Sequence, residues 1–268
     1  MKKIVISLAL VMAFISGCTN NDTSINPSVD SSLEGKSNLK VYLVDSPAAL
    51  DSVIIFVKRV EVHKADSDST ASWYVINDSL RSFDLLELRN GASAVLGDSI
   101  LEPGHYTQIR LILDDGCYVV DNGVRYNLTV PSGLQTGIKL NHEFTLEANN
   151  LYELVLDFNL EKSIHVTGNG KYMMKPVIRV MPIITSGSIS GQVLPLDAQA
   201  TVFTTIGDDT VSTYPNTDGF FKLMVLPQGL YNVEIASGNE AYKDTVLTGV
   251  SVSANQNNDL GTIELENK

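Results

Sequence analysis

Apolar and polar residues alternate with a period of two along most of this chain. Ile109, Leu111 and Leu113 alternate with Gln108, Arg110 and Ile112. Tyr152, Leu154, Leu156 and Phe158 alternate with Glu153, Val155 and Asp157, and the Asn149-Asn150 turn launches that run. Val124, Tyr126, Leu128 and Val130 alternate with Arg125, Asn127 and Thr129. Successive side chains of a strand point to opposite faces, so each run predicts a half-buried β-strand. Cys117-Tyr118-Val119-Val120 precedes Asp121-Asn122-Gly123, and Asn-Gly tolerates the positive φ of a tight turn. The two flanking runs are therefore expected to pair as an antiparallel hairpin.

From Val53 to Val62 the pattern slips. Val53, Ile55 and Val57 hold one phase, and Val60 and Val62 the other. A change of phase inside one strand predicts a bulge near Lys58-Arg59. Leu85-Leu86-Glu87-Leu88 through Leu96 is the one helical reading, and Asn90-Gly91 interrupts it, so a short helix or turn is expected there. The fold class is all-β, with two β-sandwich modules in tandem.

Residues 182–187 end one pattern and start another. In the second stretch, Asp218-Gly219 and Gln228-Gly229 supply turns. Phe221, Leu223 and Val225 are expected to point inward, and Tyr231, Val233 and Ile235 return on the same face. Gly187-Ser188-Ile189-Ser190-Gly191-Gln192-Val193, Asp218-Gly219-Phe220 and Leu226-Pro227-Gln228-Gly229-Leu230-Tyr231 together resemble the carboxypeptidase regulatory-like module. That resemblance spans residues 187–265 and implies a small transthyretin-like β-sandwich. Such modules are usually spacers or binding platforms, and their superfamily includes starch-binding-like sandwiches.

Residues 38–182 resemble a domain of unknown function from lipoproteins of Gram-negative bacteria, numbered four-three-eight-two in its series. The resemblance rests on five segments: the run from Leu39 to Pro47, Val60-Glu61-Val62-His63, the run from Leu85 to Gly91, the run from Pro103 to Leu111, and the run from Gly170 to Pro176. It implies a β-sandwich and brings no established chemistry.

At the amino terminus, Lys2-Lys3 precedes an apolar run from Ile4 to Phe14, then Ile15-Ser16-Gly17-Cys18. The run is too short to span a bilayer and its flanks fit a secretory signal over residues 1–17. Cys18 after Ser16-Gly17 resembles the lipobox, which implies acylation of its thiol and attachment to a membrane by lipid. Residues 18–37 are polar and rich in Thr, Asn, Asp, Ser and Pro. They are expected to form a flexible tether, with a reach of roughly 25 Å for about twenty residues. The expected location is the outer membrane of a Gram-negative envelope, with periplasmic and surface faces both open.

The formal net charge of −12 excludes nucleic acid and anionic headgroups as partners, because both require clustered cations. With Cys18 assigned to lipid, Cys117 has no intramolecular partner. It is expected as a small buried hydrophobe in a strand.

Catalytic signatures are missing from the sequence. It has no nucleophile elbow, phosphate loop, zinc-protease helix or Cys-x-x-Cys pair. Gly168-Asn169-Gly170 reads as a hairpin turn. His63, His105, His142 and His165 show no helical pairing, and Asp114-Asp115-Gly116, Asp121-Asn122-Gly123 and Asp208-Asp209 lack the alternating spacing of a calcium loop. No cofactor, no metal and no enzymatic activity are expected. Trp73, the single tryptophan, and Tyr74 are the candidate glycan contacts, since exposed rings stack on the apolar faces of sugars. The competing reading packs Trp73 in the core, because Val75 follows in the same phase. The expected function is a lipid-anchored, non-catalytic envelope binding protein for carbohydrate. The alternative is a structural or protein-docking module of an envelope assembly.

Overall fold

The structure is a computed structural model that describes residues 33–65, 73–131 and 136–268. Cys18, the signal and most of the tether lie outside the described residues. Leu33 is buried, and the first strand opens at Ser37.

The described chain is mostly β-strand. It runs through β1 (Ser37–Ser46), β2 (Ser52–Lys64), β3 (Trp73–Asn77), β4 (Arg81–Asp84), β5 (Ala94–Leu101), β6 (Gly104–Leu113) and β7 (Tyr118–Asp121). Next come β8 (Val124–Thr129), β9 (Ile138–Leu146), β10 (Leu151–Asn159), β11 (Ile164–Val166), β12 (Tyr172–Met174) and β13 (Ile178–Pro182). The remainder is β14 (Ser186–Leu194), β15 (Thr201–Ile206), β16 (Asp209–Thr213), β17 (Phe220–Pro227), β18 (Gly229–Ala236), β19 (Thr245–Val252) and β20 (Asn257–Glu264). Leu85–Glu87 forms a single 3₁₀ turn, as the interrupted helical pattern predicts.

Strands β1 to β13 build one sandwich. A small sheet in the order β13-β10-β1-β5 faces a large one in the order β11-β12-β8-β7-β2-β6-β9, with β3 and β4 also paired to β2. Leu39, Val41 and Leu43 of β1 and Leu154, Leu156 and Phe158 of β10 meet Val53, Ile55, Val57, Val60 and Val62 of β2 and Ile109, Leu111 and Leu113 of β6 in one core. The second sandwich pairs sheet β17-β14-β20 with sheet β16-β15-β18-β19 around Ile189, Val202, Phe221, Leu223, Val233 and Ile235.

Several local readings hold. The β2–β6 register slips between Val57 and Arg59, which is the bulge that lets both valine phases face inward. Asn122 (φ 49°) and Gly123 (φ 73°) close the β7–β8 hairpin. Cys117 is buried as expected, but it sits just before β7 rather than in a strand.

Two readings fail. Val124 and Tyr126 are exposed, with Tyr126 lying against the Tyr172 ring, and of that run only Leu128 and Val130 reach the core. Val225 does not join the second core. Its φ is +58°, beside a register slip between Gly187 and Ile189, and Leu226 takes the inward place instead. A left-handed conformation is unusual for a β-branched residue and marks a constrained bulge.

The rotated Val225 packs against Val44 and Val155 on the outer face of the small sheet, with Tyr42, Met181, Ile183 and Met224 around them. This patch joins the two sandwiches. Asn90 clips the same junction: its Oδ1 accepts from Thr213 Oγ1 at 2.7 Å and from Lys222 N at 3.1 Å, and its Nδ2 donates to Tyr214 O at 2.8 Å.

Candidate functional site

The outer face of the large sheet carries a row of polar and aromatic side chains built by cross-strand register. His63 lies opposite Trp73 on β3 and Gln108 on β6, and Gln108 lies opposite Asn141 on β9. One step along, Glu61 lies between Val75 and Arg110, and Arg110 lies opposite Lys139. Residues directly opposite share a face, so these two rows form one surface across four strands.

The same register decides the Trp73 question. Val62 points inward and pairs with Tyr74, which sends Tyr74 inward and Trp73 outward. Tyr74 packs edge-on against Tyr106, 6.3 Å between ring centres, while Val75 is 42% exposed. Trp73 therefore does not pack in the core, and the shared phase with Val75 marks the outer face. It is Tyr74 that leans on the core.

Trp73 is held from two sides. The Arg110 guanidinium lies over its ring at 4.0 Å from the centre, and the His63 ring meets it edge-on at 5.0 Å. Arg110 is in turn held by Glu61, whose Oε2 accepts from Arg110 Nε at 2.7 Å and also from Arg110 Nη2. Arg59 Nη1 lies 3.3 Å from the other carboxylate oxygen. Glu61 is buried yet paired with two cations, the arrangement in which a buried carboxylate is tolerated. His63 Nδ1 lies 3.0 Å from Thr107 Oγ1, and Gln108 Nε2 donates to Asn141 Oδ1 at 2.6 Å. The result is a half-buried indole fixed by a cation and an imidazole, beside a line of planar amides on a solvent-facing sheet.

The remaining histidines do not join this row. His105 lies 3.6 Å from Glu143, His165 is exposed, and burial pushes the imidazole of His142 down. Among the described residues no three His, Cys, Asp or Glu side chains come together as a metal set.

A buried acidic pair escaped the sequence reading. Asp157 on β10 lies opposite Arg179 on β13, and Arg179 Nη2 donates to its Oδ2 at 2.5 Å. Asp45, near the end of β1, pairs in register with Phe158, the neighbour of Asp157. Neither Asp45 carboxylate oxygen has a hydrogen bond of good geometry among the described residues. Burial pushes the Asp45 carboxyl well above its usual range, and the Asp157 charge adds to this. The nearby Ser46 and Leu160 amides and Arg89 oppose the shift without cancelling it. Burial also raises Asp157, against the pull of Arg179. The visible signal was an acid inside an apolar run, Leu43-Val44-Asp45 and Val155-Leu156-Asp157-Phe158. Strand pairing, which brings the two together, was not visible.

A family model described as a domain of unknown function (DUF4382) matches residues 36–176. The match covers more than half of the chain, so the protein belongs to that family, which carries no assigned catalysis. The comparison with curated proteins found no match.

Among solved structures, one similar chain comes from a type II cohesin–X–dockerin complex of Acetivibrio cellulolyticus. It is 23% identical, with 30% of this chain and 58% of that chain covered and a TM-score of 0.25. The shaft pilin SpaA of Lactobacillus rhamnosus GG is 8% identical over 87% of this chain and 98% of that one, at a TM-score of 0.26. A minor pilin of Streptococcus agalactiae is 10% identical over 85% and 96%, at 0.23. Scores this low define neither a common fold nor a common function.

Proposed function

We propose that this is a lipid-anchored, non-catalytic protein of a Gram-negative outer membrane whose exposed sheet face binds neutral carbohydrate. The observation that carries the reading is Trp73, fixed on a solvent-facing surface by Arg110 and His63 beside Gln108 and Asn141. Sugar rings offer an apolar face for stacking and hydroxyls for planar amides, and this surface presents both partners side by side. The carboxylate of Glu61 is spent on Arg110 and Arg59, so its role is to position Arg110 and, through it, the indole. The second sandwich, with its resemblance to a carboxypeptidase regulatory-like module, acts as a platform that stiffens the small sheet from outside.

Binding on an open face is expected to be weak per site and insensitive to salt, since no net charge has to be matched. Trp73→Ala should lower the affinity for neutral oligosaccharides by roughly tenfold or more, the size of effect found when a central aromatic anchor is lost. Wild-type indole fluorescence should change on titration with those sugars. A glycan array without hits, together with an unchanged fluorescence spectrum, would move the reading to protein docking.

Anchoring is read from the Ser16-Gly17-Cys18 sequence after the Lys2-Lys3 apolar segment. More than one acyl chain gives lasting attachment where a single one would be marginal. Cys18→Ala is expected to shift the protein from the detergent-requiring membrane fraction to the soluble fraction. Retention of the variant in the membrane fraction would overturn lipid anchoring at this residue.

A further inference from the structure

A pocket of about 300 Å³ lies between the β1–β2 turn, the β7–β8 hairpin and the β11–β12 hairpin. That volume is at the lower end of the ~300–1,000 Å³ of small-molecule sites. Its apolar surface is Leu50, Leu160 and Ile164, which belong to the N-terminal core or pack against it. Two tyrosines complete the lining. Tyr172 is buried on β12. Tyr214 comes from the second sandwich, with its backbone held where Asn90 Nδ2 donates to Tyr214 O at 2.8 Å.

The charged groups of the lining are all of one sign. Asp121 is half-buried, and Glu161 stands exposed at the rim. Among the described residues the lining has no Lys, Arg or His, and no Asn, Gln, Ser or Thr. Tyr172 Oη donates to Asp121 Oδ2 at 2.5 Å, and Asn122 Nδ2 donates to Asp121 Oδ1 at 2.9 Å. Lys162, beside Glu161 in the chain, is engaged by Asp209 at 2.9 Å. Lys171 next to Tyr172 is matched by Asp51, whose Oδ2 accepts from Gly123 N at 2.7 Å in the same hairpin turn. The pocket is left with two negative charges.

This chemistry sorts the occupants. A neutral sugar needs donors as well as acceptors, and the one uncommitted side-chain donor among the described lining residues is the Tyr214 hydroxyl. Anions would meet two like charges. Strand β11 ends the large sheet, but its three residues give an added peptide strand few hydrogen bonds. A cation meets aromatic rings, apolar surface and opposite charge together. Both Asp121 oxygens already accept hydrogen bonds, so the pocket offers charge more than free lone pairs. That suits a methylated ammonium, which has no N–H to donate.

We propose that this pocket binds a small organic cation with a quaternary ammonium head. The methyl groups contact Tyr172 and Tyr214, and Asp121 and Glu161 balance the charge. The site is separate from the carbohydrate face. Trp73 stands opposite His63 near one end of β2, whereas Val120, next to Asp121, pairs with Ser52 at the other end.

The test is calorimetric titration of the full chain with choline and with its uncharged isostere, in which a tert-butyl group replaces the trimethylammonium. Choline is expected to bind one to one, and the isostere roughly tenfold more weakly. Asp121→Asn with Glu161→Gln keeps both side-chain sizes and removes both charges, and should weaken choline by roughly tenfold. Tyr214→Leu keeps an apolar wall without the ring and should weaken it severalfold, with circular dichroism checking that each variant is folded. Trp73→Ala should leave choline binding unchanged. Equal binding of choline and the isostere would overturn the proposal, since the pocket would then select shape and not charge. So would choline binding that survives both pocket variants or is lost with Trp73→Ala, because the site would lie elsewhere. Absence of choline binding at about 10 mM would overturn it outright.

Discussion

Asp157→Ala is expected to destabilise the protein by about 3 kcal/mol, whereas Asp45→Asn, at the neighbouring acid, is expected to stabilise it at neutral pH. The first effect follows from the partner left behind. Arg179 loses its charge-assisted bond at 2.5 Å, and its Nη1 already lacks a hydrogen bond among the described residues. Breaking a buried pair from one side costs about 3–5 kcal/mol. The lower end applies because Arg179 keeps a fifth of its side chain exposed.

The second effect follows from burial without an ion pair among the described residues. Asp45 is 7% exposed, and burial together with the Asp157 charge raises its carboxyl well above the usual range. The folded state thus holds the Asp45 proton more tightly than the unfolded state does. Its contribution is fully present below the unfolded value of about 3.9 and is lost as pH rises through the folded value. The charged groups that face it are Asp157 and Arg89, with Arg179 committed to Asp157. An amide cannot ionise, so Asp45→Asn removes the loss, by about 1–3 kcal/mol at pH 8 and little at pH 4. Thermal melts of wild type and variant across pH 4 to 8 check this. A stability difference that stays flat with pH, or shrinks towards pH 8, would overturn the assignment.

What the sequence showed and what it hid follow one physical division. Alternation with turn chemistry is local, so β6, β10, the Asn122-Gly123 hairpin and the bulge after Val57 were all legible. The all-β class followed from them. Pairing between distant strands was not. The parallel register of β1 with β10, more than a hundred residues away, is what sets Asp45 beside Asp157 and Arg179, and no periodicity reports it. Trp73 shows the same limit. Its phase relation to Val75 was right, but which phase faces the core depends on Val62 standing opposite Tyr74. Val225 failed for a different reason. A bulge late in β17 turned it towards Val44 and Val155, and the need to cover the outer face of the small sheet prevailed over simple alternation.

Gly219→Ala is expected to destabilise the C-terminal sandwich by about 3 kcal/mol or more and to separate its unfolding from that of the N-terminal one. Gly219 sits at φ +83°, and a Cβ there would lie 2.5 Å from Val193 O and 3.0 Å from Leu196 Cδ2. A non-glycine residue held in such a region costs about 1–3 kcal/mol, and overpacking against backbone costs roughly as much again. The turn cannot relax freely, because Gly219 N donates to Asn216 O and Gly219 O accepts from Val193 N, both at 2.9 Å. The two main cores share no residue, and the patch that joins them has only Val44, Val155 and Val225 fully buried. This patch, the three hydrogen bonds of Asn90 and the exposed Lys162–Asp209 ion pair are small beside the two cores, so the sandwiches are expected to unfold separately. Trp73 is the only tryptophan and belongs to the N-terminal sandwich, so its fluorescence reports that unit alone. In urea, the far-ultraviolet circular dichroism transition of Gly219→Ala should split, its first step moving to lower urea while the Trp73 midpoint shifts little. If both probes move together and remain coincident, the junction couples the sandwiches into one cooperative unit, and the separation argued from their cores fails.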